Sequence, residues 1–180
     1  MSDDGRAHLR PPVGEGDHAE GSADAAVTLV EYGDYECPHC GRAHPIVKRI
    51  QEHLGSRLRF VFRNFPLAEI HPHAQHAAEA AEAAAAQGRF RAMHDALFEH
   101  QGALSDGDLV RYAAAIGLDD ERVRRELHDH THTPRVREDF RSGVRSGVNG
   151  TPTFFINGVR HDAAWDFETL VAALEAAATP

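Results

Sequence analysis

Apolar and polar positions alternate in blocks along the chain, and the period changes from block to block. Val27–Tyr32, "VTLVEY", is short, β-branched and apolar, the signature of a buried strand. Pro38 then falls where a helix would begin, because proline at the first helical position sacrifices no hydrogen bond. Ile46, Val47, Ile50 and Leu54 follow at helical spacing, and Gly55 closes the run. Leu58–Phe65, "LRFVFRNF", alternates as a strand does, with Leu58, Phe60 and Phe62 on one face. The opening is thus β-α-β. A helical block comes next: alanine-rich His73–Ala86, a helix with Phe90, Met93 and Leu97 on one face, and a third behind the Ser105/Asp108 capping arrangement. Val123 and Leu127 mark a short helix, and Val136, Phe140, Val144 and Val148 recur every four residues in another. Strands return at Thr153–Ile156 and Val159–His161, joined by Asn157-Gly158, a strong hairpin signal. Asp166 caps a last helix with Phe167, Leu170, Val171 and Leu174 inward.

The chemistry sits at the junction of the first strand and helix, in "YECPHCG". Cys37 and Cys40 are the only cysteines in 180 residues, which excludes a disulfide scaffold. The formal charge of −9 gives a nucleic-acid role no electrostatic support. Lys48 is the only lysine; with abundant alanine, that marks a GC-rich bacterial genome more than a function. The acidic opening "MSDD" has no apolar run of signal-peptide length, and no stretch reaches membrane-spanning length. These features predict a cytoplasmic protein with no membrane partner. A lone CxxC in the cytosol is more often catalytic or metal-binding than structural.

"CPHC" at Cys37–Cys40 resembles the active-site motif of the DsbA family of thiol:disulfide oxidoreductases, and "GVNGTPTFFINGVR" at Gly147–Arg160 is similar to that family's cis-proline loop and hairpin. The two lie more than a hundred residues apart, so together they are far more specific than either alone. The resemblance covers roughly residues 18–177 and is closest in kind to the signal-less, cytoplasmic-type branch. It implies an α/β thioredoxin fold with an inserted helical subdomain: a flexible N-terminal segment at 1–17, the thioredoxin domain at 18–66 and 147–180, and the insertion at 67–146.

The resemblance also implies roles. Cys37, at the helix N-terminus where unsatisfied N–H groups favour negative charge, is the attacking thiolate, and Cys40 the resolving thiol. Pro38 and His39 set the character of the pair. Each unit by which the Cys37 thiol falls below ambient pH favours the reduced form by about 1.4 kcal/mol, or about 30 mV toward a stronger oxidant. Glu31 would relay a proton to Cys40, against the plainer reading of a solvated carboxylate at a strand edge. Thr151 and Pro152 would bind an extended substrate strand. No cofactor is implied. The partners are protein thiols or disulfides, with glutathione or another thioredoxin-like protein on the other side of the exchange.

Two rivals come from other classes. One is a glutathione-dependent transferase or isomerase of thioredoxin fold, which does not need Cys40. The other is a non-enzymatic zinc-binding or chaperone module. Fourteen histidines invite a metal, notably His71, His73 and His76, and "HDHTH" at His128–His132. No carboxylate or cysteine falls in a matching motif, and CxxC supplies only two of the four ligands of a structural zinc site. The histidine run reads as a solvated helix end, and no metal ligand is assigned.

Overall fold

The structure, a computed structural model, describes residues 5–178. Residues 1–4 of the expected N-terminal segment and 179–180 of the expected C-terminal part lie outside the described residues. Two compact units emerge. The first takes the chain up to Gly33, Arg42–Arg63 and the chain from Arg141. The second takes Asp34–Gly41 and Asn64–Phe140.

The first unit is built on a five-stranded sheet. Its strands are β1 (His18–Glu20), β2 (Val27–Gly33), β3 (Leu58–Asn64), β4 (Thr153–Ile156) and β5 (Val159–His161), in the order β1-β3-β2-β4-β5. β2 pairs antiparallel with β4, Glu31 opposite Phe154 and Tyr32 opposite Thr153. β2 is buried on both faces, which its continuous apolar run allows. β3 was expected to bury one face; it buries both, with Phe60, Val61 and Phe62 all in the core. Helix α1 (Pro38–Leu54) and helix α7 (Phe167–Ala178) flank the unit, and Arg49 of α1 lies 4.1 Å over the Phe167 ring. Leu170, Val171 and Leu174 bury the inner face of α7 against β2 and β4. Asp166 caps that helix by accepting the Thr169 N–H at 3.0 Å. At the β4–β5 turn Asn157 and Gly158 take φ of 48° and 81°, the left-handed pair a two-residue hairpin demands.

The N-terminal stretch departs from its composition. Residues 5–17 were expected to be loose, yet they are bonded into this unit. Leu9 is buried, its N–H donates to the Gly158 carbonyl at 2.8 Å, and Arg160 N–H donates to Ala7 at 2.9 Å. Arg63, buried at the end of β3, donates to both Asp17 oxygens (2.8 and 3.0 Å), to the Pro11 and Pro12 carbonyls and to the Tyr32 hydroxyl. One guanidinium thus fastens the segment, and β1, which the pattern did not predict, adds to the sheet edge beside β3.

The second unit is helical: α2 (Ala74–Ala86), α3 (Phe90–Glu99), α4 (Asp106–Ala115), α5 (Asp120–His128) and the first part of α6 (Thr133–Arg145). α2 is buried nearly all round, and its small alanine side chains let α3, α4 and α5 approach it closely. Ser105 and Asp108 form a reciprocal capping box on α4. The four-residue repeat in α6 describes only part of its packing. Val144 is 56% exposed and Val148 lies beyond the helix. Of the repeat, Val136 is core and Phe140, half-buried, stacks on Phe65; Asp139, Ser142 and Gly143 are buried as well, the two polar side chains satisfied, Asp139 by Arg135 and by the Asn64 N–H, Ser142 by the Tyr32 hydroxyl at 2.7 Å.

Candidate active site

Strand β2 ends at Gly33, and Asp34–Cys37 turns the chain into α1. Cys37 N–H donates to the Asp34 carbonyl at 3.1 Å, and the Cys37 carbonyl accepts the first helical bond, from Gly41 N–H at 3.0 Å. Cys37 is therefore the residue that caps the helix, Pro38 is its first full member and Cys40 lies one turn on. The two cysteines are unbridged, buried, and 3.9 Å apart. Pro38 and His39 between them are exposed. The Cys40 sulfur accepts the Asp34 N–H at 3.5 Å. Two thiols at this separation, one at the positive end of a helix, can cycle between dithiol and disulfide with little movement of backbone.

The turn is braced from outside its own sequence. Gln101 donates through Nε2 to the Tyr35 and Cys37 carbonyls, at 2.8 and 2.9 Å. Tyr35 packs against Phe98, and its hydroxyl bonds His94 Nδ1 at 2.9 Å. The fully buried Asp34 carboxylate accepts Glu36 N–H on Oδ1, and Leu67 N–H (2.9 Å) and His71 Nδ1 (2.7 Å) on Oδ2. Glu36 is half-buried and accepts the His73 N–H at 2.7 Å. Sequence reasoning singled out none of Asp34, Tyr35 or Gln101. For Asp34 and Tyr35 a signal existed, an acid and an aromatic beside the CxxC; for Gln101 there was none.

The other candidates lie in the first unit. Glu31 is buried within β2, 2% exposed, so the plainer reading of a solvated edge carboxylate does not hold. Gly33 makes room beside it: a Cβ there would stand 2.5 Å from the Phe62 ring and 3.2 Å from Glu31 Oε1. Thr151 and Pro152, half-buried, immediately precede β4 and are joined by a cis peptide bond. Because Thr153 is opposite Tyr32, the sheet brings this loop to the end of the strand that carries Glu31. Phe154 is core, as its pattern implies.

Residues 14–176 match the family described as Thioredoxin. The chain belongs to the thioredoxin family. Among solved structures, this thioredoxin-family chain is similar to oxidised BdbD from Bacillus subtilis, with a TM-score of 0.87 and 25% identity over 97% of this chain and 100% of that one. It is also similar to a thioredoxin-like oxidoreductase from Silicibacter pomeroyi DSS-3, with a TM-score of 0.80 and 29% identity over 91% and 93% of the two chains. Wolbachia pipientis alpha-DsbA1 shares the fold, with a TM-score of 0.78 and 20% identity over 92% of each chain. In sequence, the present chain is 47% identical over 170 residues to a protein of Mycobacterium sp. (strain KMS) named Na(+)/H(+) antiporter NhaA 1, covering 93% of this chain and 28% of that protein. The chain thus spans about a quarter of the length of the curated relatives it matches. Among the described residues, no helix is long and apolar enough to cross a membrane.

Proposed function

We propose that the chain is a thiol:disulfide oxidoreductase of DsbA type, exchanging disulfides with protein substrates through Cys37 and Cys40. The observation that carries this reading is the pair of buried thiols 3.9 Å apart at the first turn of α1, in a thioredoxin-family chain. In the oxidising direction, a substrate thiolate attacks Cys37 of the Cys37–Cys40 disulfide. Cys40 leaves as a thiolate and takes up a proton, for which the buried Glu31 carboxyl is the proposed source. A second substrate thiolate then attacks the substrate sulfur of the mixed disulfide, and Cys37 leaves. Two electrons have passed to the protein, and the substrate holds a new disulfide. Pro38 and His39 shape the environment of the pair, and the Thr151–Pro152 loop offers backbone to an extended substrate segment. No cofactor takes part, since the sulfurs carry the electrons. The compartment sets direction: a glutathione-buffered cytosol, the location the composition suggested, draws an oxidising pair toward the dithiol and favours reduction, isomerisation or stress sensing.

The test is turnover of a dithiol peptide that closes to a disulfide, with glutathione disulfide as oxidant. Cys37→Ser should abolish turnover, and Cys40→Ser should accumulate a mixed disulfide visible by mass spectrometry. Full activity of Cys40→Ser with glutathione would favour the transferase. One zinc per chain bound by the thiols, with no turnover, would favour the metal module.

A further inference from the structure

We propose that His76, Glu79 and His130 form a binding site for a divalent transition cation of the zinc class, sharing no residue with the thiol pair. No metal-binding motif marks these residues in the sequence; helical register pairs His76 with Glu79, and the fold adds His130. His76 and Glu79 stand three residues apart on α2 and so share a face. The short connection between α5 and α6 brings His130 to the same face. The three offer ligand atoms that all lie within 4.8 Å of one another. His130 Nδ1 is 3.6 Å from Glu79 Oε1, close to the spacing of about 3.4 Å between ligand atoms in a tetrahedral zinc site with bonds of about 2.0–2.1 Å. The His76 and His130 rings are 5.5 Å apart. The remaining adjustment falls on two imidazoles with side chains 33% and 59% exposed, which are able to turn.

Three further features fit a cation. Glu79 is 1% exposed, and its oxygens are already oriented: Oε1 accepts the Thr133 hydroxyl at 2.6 Å and Oε2 the Gln75 amide at 3.2 Å. Those donors are neutral, and a buried carboxylate calls for positive charge nearby. His76 Nδ1 is bonded to Asp106 at 2.6 Å, which leaves Nε2 as the ring nitrogen available to a metal. This is the carboxylate–histidine–metal arrangement by which outer carboxylates orient a ligand. His130 holds φ of 53°, a left-handed backbone that residues with a Cβ rarely adopt. Two imidazole nitrogens and one carboxylate oxygen suit zinc and its neighbours rather than calcium or magnesium, which want oxygen alone. Three protein ligands leave a fourth position for water. A bound ion would tie α2 to the chain reversal that starts α6.

The experiment titrates Zn²⁺ into the oxidised protein by calorimetry, so that neither cysteine is a thiolate ligand, and counts bound metal by mass spectrometry after dialysis. One saturable Zn²⁺ per chain is expected. His130→Ala, at an exposed position that leaves the core intact, and Glu79→Gln should each weaken it at least tenfold, as should Asp106→Asn through loss of orientation. His128→Ala, in the same histidine run but 87% exposed, should leave binding unchanged. Co²⁺ in place of Zn²⁺ should give the strong visible bands of a tetrahedral site without a thiolate charge-transfer band. Three results would overturn the site: no stoichiometric binding, equal losses in His130→Ala and His128→Ala, or binding that needs the reduced thiols. Finding instead that Glu79 and His130 form only an ion pair, with the same Zn²⁺ affinity in every variant, would overturn it too. Turnover of thiol substrates is measured separately, so either reading can fail without the other.

Discussion

Replacing Gly41 by alanine pits helix propensity against one hydrogen-bonded side chain. Gly41 lies in the first turns of α1, where alanine is favoured over glycine by about 0.5–1 kcal/mol. A Cβ at Gly41 would sit 2.0 Å from Gln101 Oε1 and 2.6 Å from its Cδ, so Gln101 must leave. It then gives up its bonds to the Tyr35 and Cys37 carbonyls, worth about 1 kcal/mol each. The Gly41→Ala variant should therefore lose about 1–1.5 kcal/mol, and Gln101→Ala about 2 kcal/mol. With Gln101 already gone, Gly41→Ala has nothing to displace and should stabilise by about 0.5–1 kcal/mol. The double variant should match Gly41→Ala alone, a coupling of about 2 kcal/mol between the sites. Urea unfolding of the reduced proteins, followed by circular dichroism, measures all four corners of the cycle. A neutral or stabilised Gly41→Ala in the parent background, or strict additivity, would show that Gln101 does not brace the turn.

Arg63→Ala should cost about 3–5 kcal/mol, because Asp17 is left buried without its guanidinium. It should also release the N-terminal stretch, so that a glutamate-specific protease cuts after the exposed Glu15 far faster than in the parent. Asp34→Asn keeps shape but places an amide N–H against the Glu36, Leu67 or His71 donors; a loss of about 2–3 kcal/mol in urea unfolding is expected, and a loss below about 1 kcal/mol would mean the carboxylate does not organise the turn. Burial pushes the Glu126 carboxyl up, but hydrogen bonds from His132 and Arg122 outweigh it and hold the group below its ordinary value. Its stabilisation is therefore present above the unfolded carboxylate value of about 4.3 and is lost as pH falls through the lower folded value. Glu126→Gln should be less stable than the parent at pH 7, and the gap should close as unfolding is measured from about pH 5 down to about pH 3.

The parts of the chain that were legible in sequence share one property: their chemistry is local. Cys37 and Cys40 are one helical turn apart, Asn157-Gly158 makes its own turn, and Ser105 with Asp108 closes its own cap. Element order from β2 onward followed from periodicity for the same reason. What escaped depends on partners distant in the chain. β1 is only His18, Ala19 and Glu20, too short to show a hydropathy pattern, and pairs with β3, and Arg63 fastens Asp17 across 46 positions. Gln101 meets Cys37 across 64 positions, and Glu79 meets Thr133 across 54. In α6 the apolar repeat holds at Val136 and fails at Val144; it also missed Asp139 and Ser142, which are buried through specific bonds, because hydropathy cannot see a satisfied polar group.

The bracing of the Asp34–Cys37 turn bears on how such a chain can be shortened. The groups described above as holding this turn, the Leu67 N–H and the His71 ring through Asp34, the His94 ring through Tyr35 and the Gln101 amide through two carbonyls, come from the stretch between β3 and β4. A minimal protein made by cutting that stretch away and rejoining β3 to β4 would keep both cysteines and lose what positions them. The stretch is the scaffold of the Cys37–Cys40 turn, and the turn has to travel with it.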